Sequence, residues 1–103
     1  GAFEISSVAN QMAQTKKYHA VICLGAVIKG ETPHFDYICR EAARCIADIG
    51  VQTGVPTIFG ILTTDNIQQA EARSSEVVGN KGVDAALAAV EMAGLFEVIN
   101  TIK

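Results

Sequence analysis

The segment over residues 25–37, GAVIKGETPHFDY, carries the first side chains whose types and spacing suit chemistry on a small molecule. It holds the carboxylate of Glu31, the hydroxyl of Thr32 and the imidazole of His34. Free N–H groups at a helix start bind anions, so a helix beginning beside Thr32 predicts a phosphate site. Imidazole groups exchange protons near neutral pH. His34 is therefore interpreted either as a general acid or base, or as a helix cap or surface residue.

Two cations farther along the chain form a second group. Arg73 and Lys81 both lie near the ends of predicted helices. A guanidinium binds a phosphate as a two-pronged fork and an ammonium binds it as a point charge. If both lie on one side of the fold, they predict a phosphate-binding pair. The alternative is that each is a solvated surface charge.

Apolar spacing predicts the elements that must position these side chains. Helical spacing recurs in four stretches, and two unbroken apolar runs are typical of buried strands. Ser6 or Ser7 and the segment Thr63 to Asp65 are candidate helix caps, and Lys16 and Lys17 suit a helix end. The predicted elements are a helix over about 6–15, a strand over 18–24, a loop over 25–33, a helix over about 35–50, a strand over 57–62, a helix from about 65 to 79 and a helix over about 82–102.

A strand, a helix and a strand in succession predict a parallel α/β fold, organised as one domain over residues 1–103. Ligands in such sheets bind beyond the carboxyl ends of the strands, which is where residues 25–37 lie. Two strands are too few for a stable parallel sheet. We therefore expect further strands from another polypeptide, or an incomplete fold.

Composition narrows the classes of protein. The chain is 50% hydrophobic and 18% charged, with mean hydropathy +0.28, which predicts a folded protein partly covered by association with other chains. The net charge of −3, without a basic run, argues against a nucleic-acid partner. No apolar run is long enough for a membrane span, so a cytoplasmic location is expected. Three cysteines without a C-x-x-C pair predict reduced, buried thiols and no metal site.

Four motifs together resemble the lumazine synthase family. They are GAFEI at residue 1, GAVIKGETPHFDY, FGILTTD after the second strand, and Gln69 to Arg73 followed by GNKG and AALAAVEMA. The resemblance runs in register from Gly1 to about Phe96, and it implies a flavodoxin-like three-layer sandwich that lacks the family's first strand, helix and second strand. Because the chain enters patterned sequence at once without a Met, we expect it to be a fragment or a processed product.

The resemblance also implies an activity. The family is a transferase of riboflavin biosynthesis that condenses 5-amino-6-(D-ribitylamino)uracil with 3,4-dihydroxy-2-butanone 4-phosphate to 6,7-dimethyl-8-ribityllumazine, without a metal or cofactor. It assembles as homo-oligomers built from pentamers, up to an icosahedral capsid. His34 matches the proton-transfer residue. Matching substrate-binding residues are Ala2, Phe3, Glu4, Ala26, Val27 and Ile28 for the pyrimidinedione, Glu31, Thr32 and Arg73 for the sugar phosphate, Phe59 lent to the adjacent subunit, and Lys81 as a supporting charge.

Departures from the family pattern and two alternatives remain. Ser74 to Val77 replace a stretch that usually has a glycine, a threonine and a lysine, and Lys29 stands where arginine is usual. One alternative is a non-catalytic component that completes a ring or cage with a separate N-terminal fragment. The other is a phosphate-binding flavodoxin-like domain. In every version we expect Thr32 and His34 to face Arg73 across the mouth of the sheet.

Overall fold

The computed structural model describes residues 1–75 and 79–102 as a parallel α/β fold. The elements in chain order are α1 (Ala2–Gln14), β1 (Val21–Ile28), α2 (His34–Thr53), β2 (Thr57–Thr64), α3 (Ile67–Ser74) and α4 (Lys81–Asn100). In the described residues β1 and β2 pair only with each other, in parallel, from Val21 opposite Thr57 to Ile28 opposite Thr64. The predicted parallel pairing across α2 is confirmed.

The helices lie in two layers, one on each face of this sheet. α1 packs against α2 and both contact the strands, while α3 and α4 contact each other and the strands. Among the described residues, no contact joins the two pairs of helices. The principal core lies under α1 and α2. It consists of Ala9, Ala13, Val21, Cys23, Ala42, Ile46, Ile49, Val55 and Ile61. The chain therefore has the three-layer arrangement that the sequence predicts.

β1 begins and ends later than predicted. Tyr18 and His19 lie before the strand and are exposed, whereas the strand continues through Gly25 as far as Ile28. A Cβ on Gly25 would lie 2.8 Å from the Ile5 side chain of α1. The glycine that suggested a turn instead lets a helix approach the strand closely. As a result, Ala26, Val27 and Ile28 belong to the strand, although the sequence predicts them in the loop.

Several predicted helix ends are wrong. α1 starts at Ala2 with no side-chain cap, so Ser6 and Ser7 lie within it. α3 is capped by Asn66, whose side chain accepts from the Gln69 N–H at 2.9 Å, and it ends at Ser74. The cap therefore lies one residue after the predicted Thr63 to Asp65 segment, because Thr63 and Thr64 still belong to β2.

Lys16 also departs from its predicted role at the end of α1. It follows the helix in a left-handed conformation, with φ at 58°, and its ammonium donates to the carbonyl oxygen of Thr53 at the end of α2. A cation there complements the free carbonyls of that helix end. α2 itself closes on Gly54, which is left-handed with φ at 73° and whose N–H donates to Gly50. Lys16 thus links α1 to α2.

α4 approaches β2 closely through small side chains. Ala85 and Ala89 are buried, and a Cβ on Gly60 would lie 3.1 Å from the Ala85 Cβ and 2.8 Å from Leu24. Most of the remaining large apolar side chains of α4 are exposed, Val90 by 74%. The predicted packing of α4 on the sheet is confirmed, and its second contact, with a neighbouring subunit, stays a prediction.

Much apolar surface lies outside the core. The radius of gyration is 14.7 Å, against about 13 Å for a compact chain of 100 residues.

No helix among residues 1–75 and 79–102 is long and apolar enough to cross a membrane. Cys23 is buried as predicted, whereas Cys39 and Cys45 are only half-buried. Burial raises the pKa of the Cys23 thiol.

The contact between Gly60 and α4 predicts a stability difference between two glycine substitutions. Gly60→Ala should lower the free energy of unfolding by about 1–3 kcal/mol, because the added methyl overpacks the contact with Leu24 and Ala85. Gly94→Ala is the control, since a Cβ there meets nothing within 4 Å. This control should be neutral or gain up to about 1 kcal/mol from helix propensity. Equal stabilities in urea unfolding would contradict the packing.

Candidate functional site

The two open edges of the sheet direct backbone groups away from the strands. Val21 and Lys29 donate their N–H groups to Pro56 and Thr64 across the sheet. Backbone groups in a strand alternate in direction, so the even-numbered residues of β1 point outward. On β2 the odd-numbered residues point outward for the same reason. Each edge therefore offers N–H donors and C=O acceptors that no described strand uses.

A cavity of about 600 Å³ lies at the carboxyl end of β1 and is here called the β1 cavity. α1 contributes its first turn, β1 its last three residues and α2 its first two turns. The lining residues are Gly1, Ala2, Phe3, Glu4, Ala26, Val27, Ile28, His34 and Ile38. The fold thus brings together the six residues predicted for the pyrimidinedione and the predicted proton-transfer histidine.

Two titratable side chains face the β1 cavity, and both are exposed. His34 is the first residue of α2, and its N–H points to the Thr32 hydroxyl at 3.4 Å. Glu4 lies in the first turn of α1 and lines the cavity. Beside an apolar wall, the imidazole can transfer a proton and the carboxylate can accept hydrogen bonds from hydroxyl groups.

Glu31 and Thr32 occupy the exposed loop between β1 and α2 and line neither this cavity nor the one described next. The Thr32 side chain acts on the backbone by accepting the His34 N–H. Their predicted contact with a sugar phosphate stays a prediction.

A second cavity, of about 270 Å³, lies at the open edge of β2 and is here called the β2 cavity. Its lining residues are Phe59, Ile61, Leu62, Thr63, Arg73, Gly79 and Lys81. One guanidinium nitrogen of Arg73 donates to the Gln69 carbonyl at 3.1 Å. In residues 1–75 and 79–102, neither Arg73 nor Lys81 forms an ion pair. The β2 cavity is therefore suited to an anion.

The predicted site residues thus form two groups rather than one pocket. His34 lies beside α1 and α2, whereas Arg73 and Lys81 belong to α3 and α4 on the other layer. The two-stranded sheet explains the separation, because the outer edge of β1 and the outer edge of β2 lie on opposite sides of the sheet. Each half of the predicted site is accessible to a second chain.

The sequence-based reasoning missed several lining residues. Ile38 lies one helical turn after His34, a spacing that could have indicated it. Ile61 and Thr63 share a side of β2 with Phe59, which strand alternation could have indicated. Of the departing stretch from Ser74 to Val77, Glu76 and Val77 lie outside the described residues. No group of three potential metal ligands occurs in the part of the chain that the structure describes.

The sequence of this chain is similar to those of known proteins. Residues 1–97 match the family described as 6,7-dimethyl-8-ribityllumazine synthase. A curated protein with that name from Desulfatibacillum aliphaticivorans is 56% identical over 97 residues, which is 94% of this chain. The chain spans 63% of the length of that relative.

The start of α4 determines where Lys81 enters the β2 cavity, and it depends on one cap. The Asn80 side chain accepts from the Val83 N–H at 3.0 Å and donates to the Ser75 carbonyl at 2.5 Å. Asn80→Ala should lower the free energy of unfolding by about 0.5–2 kcal/mol, whereas Asn80→Ser should retain most of the stability. Asn100→Ala, at the other end of α4, is the control. If thermal unfolding shows no difference between N80A and N100A, the cap has no role.

Proposed function

We propose, on the premise that this chain belongs to the 6,7-dimethyl-8-ribityllumazine synthase family, that it takes part in riboflavin biosynthesis as a transferase. The proposed reaction condenses 5-amino-6-(D-ribitylamino)uracil with 3,4-dihydroxy-2-butanone 4-phosphate to 6,7-dimethyl-8-ribityllumazine. The observation that carries the proposal is the β1 cavity, which gathers His34 and six predicted substrate-binding residues around one space.

The β1 cavity suits a pyrimidinedione for a specific reason. Ala26 and Ile28 are even-numbered residues of β1, so their N–H and C=O groups point away from β2. The amide-like edge of a pyrimidinedione has the same alternation of donors and acceptors, so it can pair with this edge as a strand would. The side chains of Val27 and Ile38 supply an apolar wall. The Glu4 carboxylate accepts hydrogen bonds from hydroxyl groups of the ribityl chain.

The proposed chemistry needs few catalytic groups. The aromatic amine attacks the ketone carbon, and loss of one water gives an imine; elimination then releases phosphate, and the ribityl-bearing amine closes the ring on the second carbonyl with loss of another water. Orientation of two bound substrates supplies most of the rate acceleration. His34 carries a proton between the reacting atoms, and its exposed place at the start of α2 leaves its ring free to do so.

The separation of the two cavities supports a site shared between chains. The sugar phosphate requires Arg73 and Lys81, but these line the β2 cavity and not the space around His34. The proposed active site therefore forms where the β2 cavity of one subunit meets the β1 cavity of its neighbour. Phe59, in the same β2 cavity, then reaches the adjacent site. Such a heterologous contact forms a ring when its rotation closes, and we propose a homo-oligomer based on pentamers.

The exposed apolar side chains of α4 also favour a second candidate, an assembly component without activity. Both candidates require rings, and a decamer or an icosahedral capsid is a further proposal of the same kind. They differ in turnover, because only the enzyme converts the two substrates into a fluorescent lumazine. A cytoplasmic location stays a prediction.

His34→Ala tests the proton-transfer role. Turnover should fall by about 10- to 100-fold, because proton transfer is lost while substrate orientation remains. The variant should elute with the wild-type oligomer in size-exclusion chromatography. His19→Ala is the control, since His19 is exposed and lies outside both cavities. Wild-type turnover by H34A, or loss of its assembly, would exclude this role.

Mixing two damaged chains tests the shared site. H34A damages only the β1 cavity and Arg73→Ala only the β2 cavity, so a mixed ring contains some interfaces with both halves intact. Random co-assembly should restore about one quarter of the wild-type sites. The H34A/R73A double variant mixed with either single variant should restore none. If co-refolded H34A and R73A recover no lumazine formation, the site lies within one chain.

A further inference from the structure

α3 is a short helix that packing alone holds weakly. Among its eight described residues only Ala70 is buried, and the first residue, Ile67, is 56% exposed. Isolated helices shorter than about 12 residues are marginal in water, so the position of α3 depends on the groups that hold its start. Arg73 lies in the last turn of this helix. The place of its guanidinium in the β2 cavity therefore depends on how α3 begins.

Two side chains hold the start of α3 as a reciprocal pair. The Asn66 side chain accepts the Gln69 N–H at 2.9 Å, and the Gln69 side chain accepts the Asp65 N–H at 2.8 Å. The Thr64 hydroxyl, at the end of β2, donates to the Asn66 carbonyl oxygen at 2.9 Å. Reciprocal bonds of this kind satisfy amides that the first turn of a helix leaves free. The pair of Asn66 and Gln69 is here called the α3 cap, and it ties α3 to the carboxyl end of β2.

Arg73 is held one helical turn after Gln69. One guanidinium nitrogen of Arg73 donates to the Gln69 carbonyl oxygen at 3.1 Å, so the side chain folds back along its own helix. This anchor fixes the direction of the other N–H donors of the planar guanidinium. Asn66 and Gln69 do not line the β2 cavity themselves. An effect of the α3 cap on a ligand in that cavity therefore passes through Arg73, the residue of α3 that lines it.

We propose that Asn66 and Gln69 are positioning residues, which set the direction in which Arg73 presents its guanidinium to the β2 cavity. Neither of them touches a substrate. Direction matters because a guanidinium binds an oxyanion through two parallel N–H bonds, and a displaced fork keeps its charge but loses this pairing. The identity of the ligand rests on the proposed function, whereas the positioning of Arg73 does not.

Steady-state kinetics tests this role with matched variants. Gln69→Ala and Asn66→Ala should each raise the KM for the butanone phosphate about three- to tenfold, the loss expected for one hydrogen bond. The kcat and the KM for the pyrimidine amine should change less than about twofold, because only the sugar phosphate meets Arg73. Asn66→Ser keeps an accepting hydroxyl at the cap and should restore the wild-type KM. Gln68→Ala is the control, since Gln68 is exposed and forms no hydrogen bond with the described residues.

A second background separates positioning from a general loss of structure. In Arg73→Lys the point charge on a flexible stem does not need a fixed direction. Adding Gln69→Ala to this background should therefore raise the sugar-phosphate KM by less than about twofold. Circular dichroism verifies the fold of each variant. An equal rise in both backgrounds, a rise in the KM values of both substrates, or no rescue by N66S would overturn the proposal.

Titration with inorganic phosphate separates the proposal from the function on which it rests. By calorimetry Q69A should bind phosphate about three- to tenfold more weakly than wild type, and Q68A should match wild type. Lumazine formation by wild type, with phosphate binding and KM unaltered in Q69A, would overturn the positioning role and leave the function standing. Weakened phosphate binding by Q69A without any lumazine formation by wild type would refute the function and support the positioning role. Absence of phosphate binding by wild type would overturn the positioning role.

Discussion

The parallel pairing of β1 with β2 is the constraint on which both cavities depend. It runs over eight residues of each strand and aligns their carboxyl ends. A one-residue shift of β1 would turn Val21 and Cys23 away from α1 and α2, and the same shift of β2 would move Gly60 from beneath α4. Either shift would also reverse which backbone amides of the moved strand point outward. Core packing and ligand-binding geometry thus depend on one register.

The sequence predicted the order of elements well, because helical and strand spacing depend on local pattern. It failed at boundaries, where tertiary contact decides. Gly25 was interpreted as a turn signal, yet the residue lies within β1 because Ile5 packs against it. Ser6 and Ser7 were interpreted as caps, although α1 starts at Ala2. The extent of β1 and the start of α1 do not depend on neighbours in the sequence, so local patterns could not predict them.

The candidate site was also predictable only in part. Motif resemblance identified residues that the fold gathers at the end of β1, since each follows directly from a strand end or a helix start. The position of Arg73 relative to His34 was different from the expectation of a single mouth. The position of Arg73 depends on which edge of the sheet its helix covers, and the packing of α3 and α4 on β2 determines that edge. In the proposed function, the assembly of neighbouring chains brings the two halves together.

The open edge of β1 has a consequence for pairing with other chains. Its eight residues, VICLGAVI, include no charge, proline or bulge, the devices that natural edge strands use against unwanted pairing. Ile22 and Leu24 are exposed beside it, Leu24 by 57%. Wherever that edge is left uncovered, it is a template for pairing with another strand, and nothing in its own side chains interrupts such pairing.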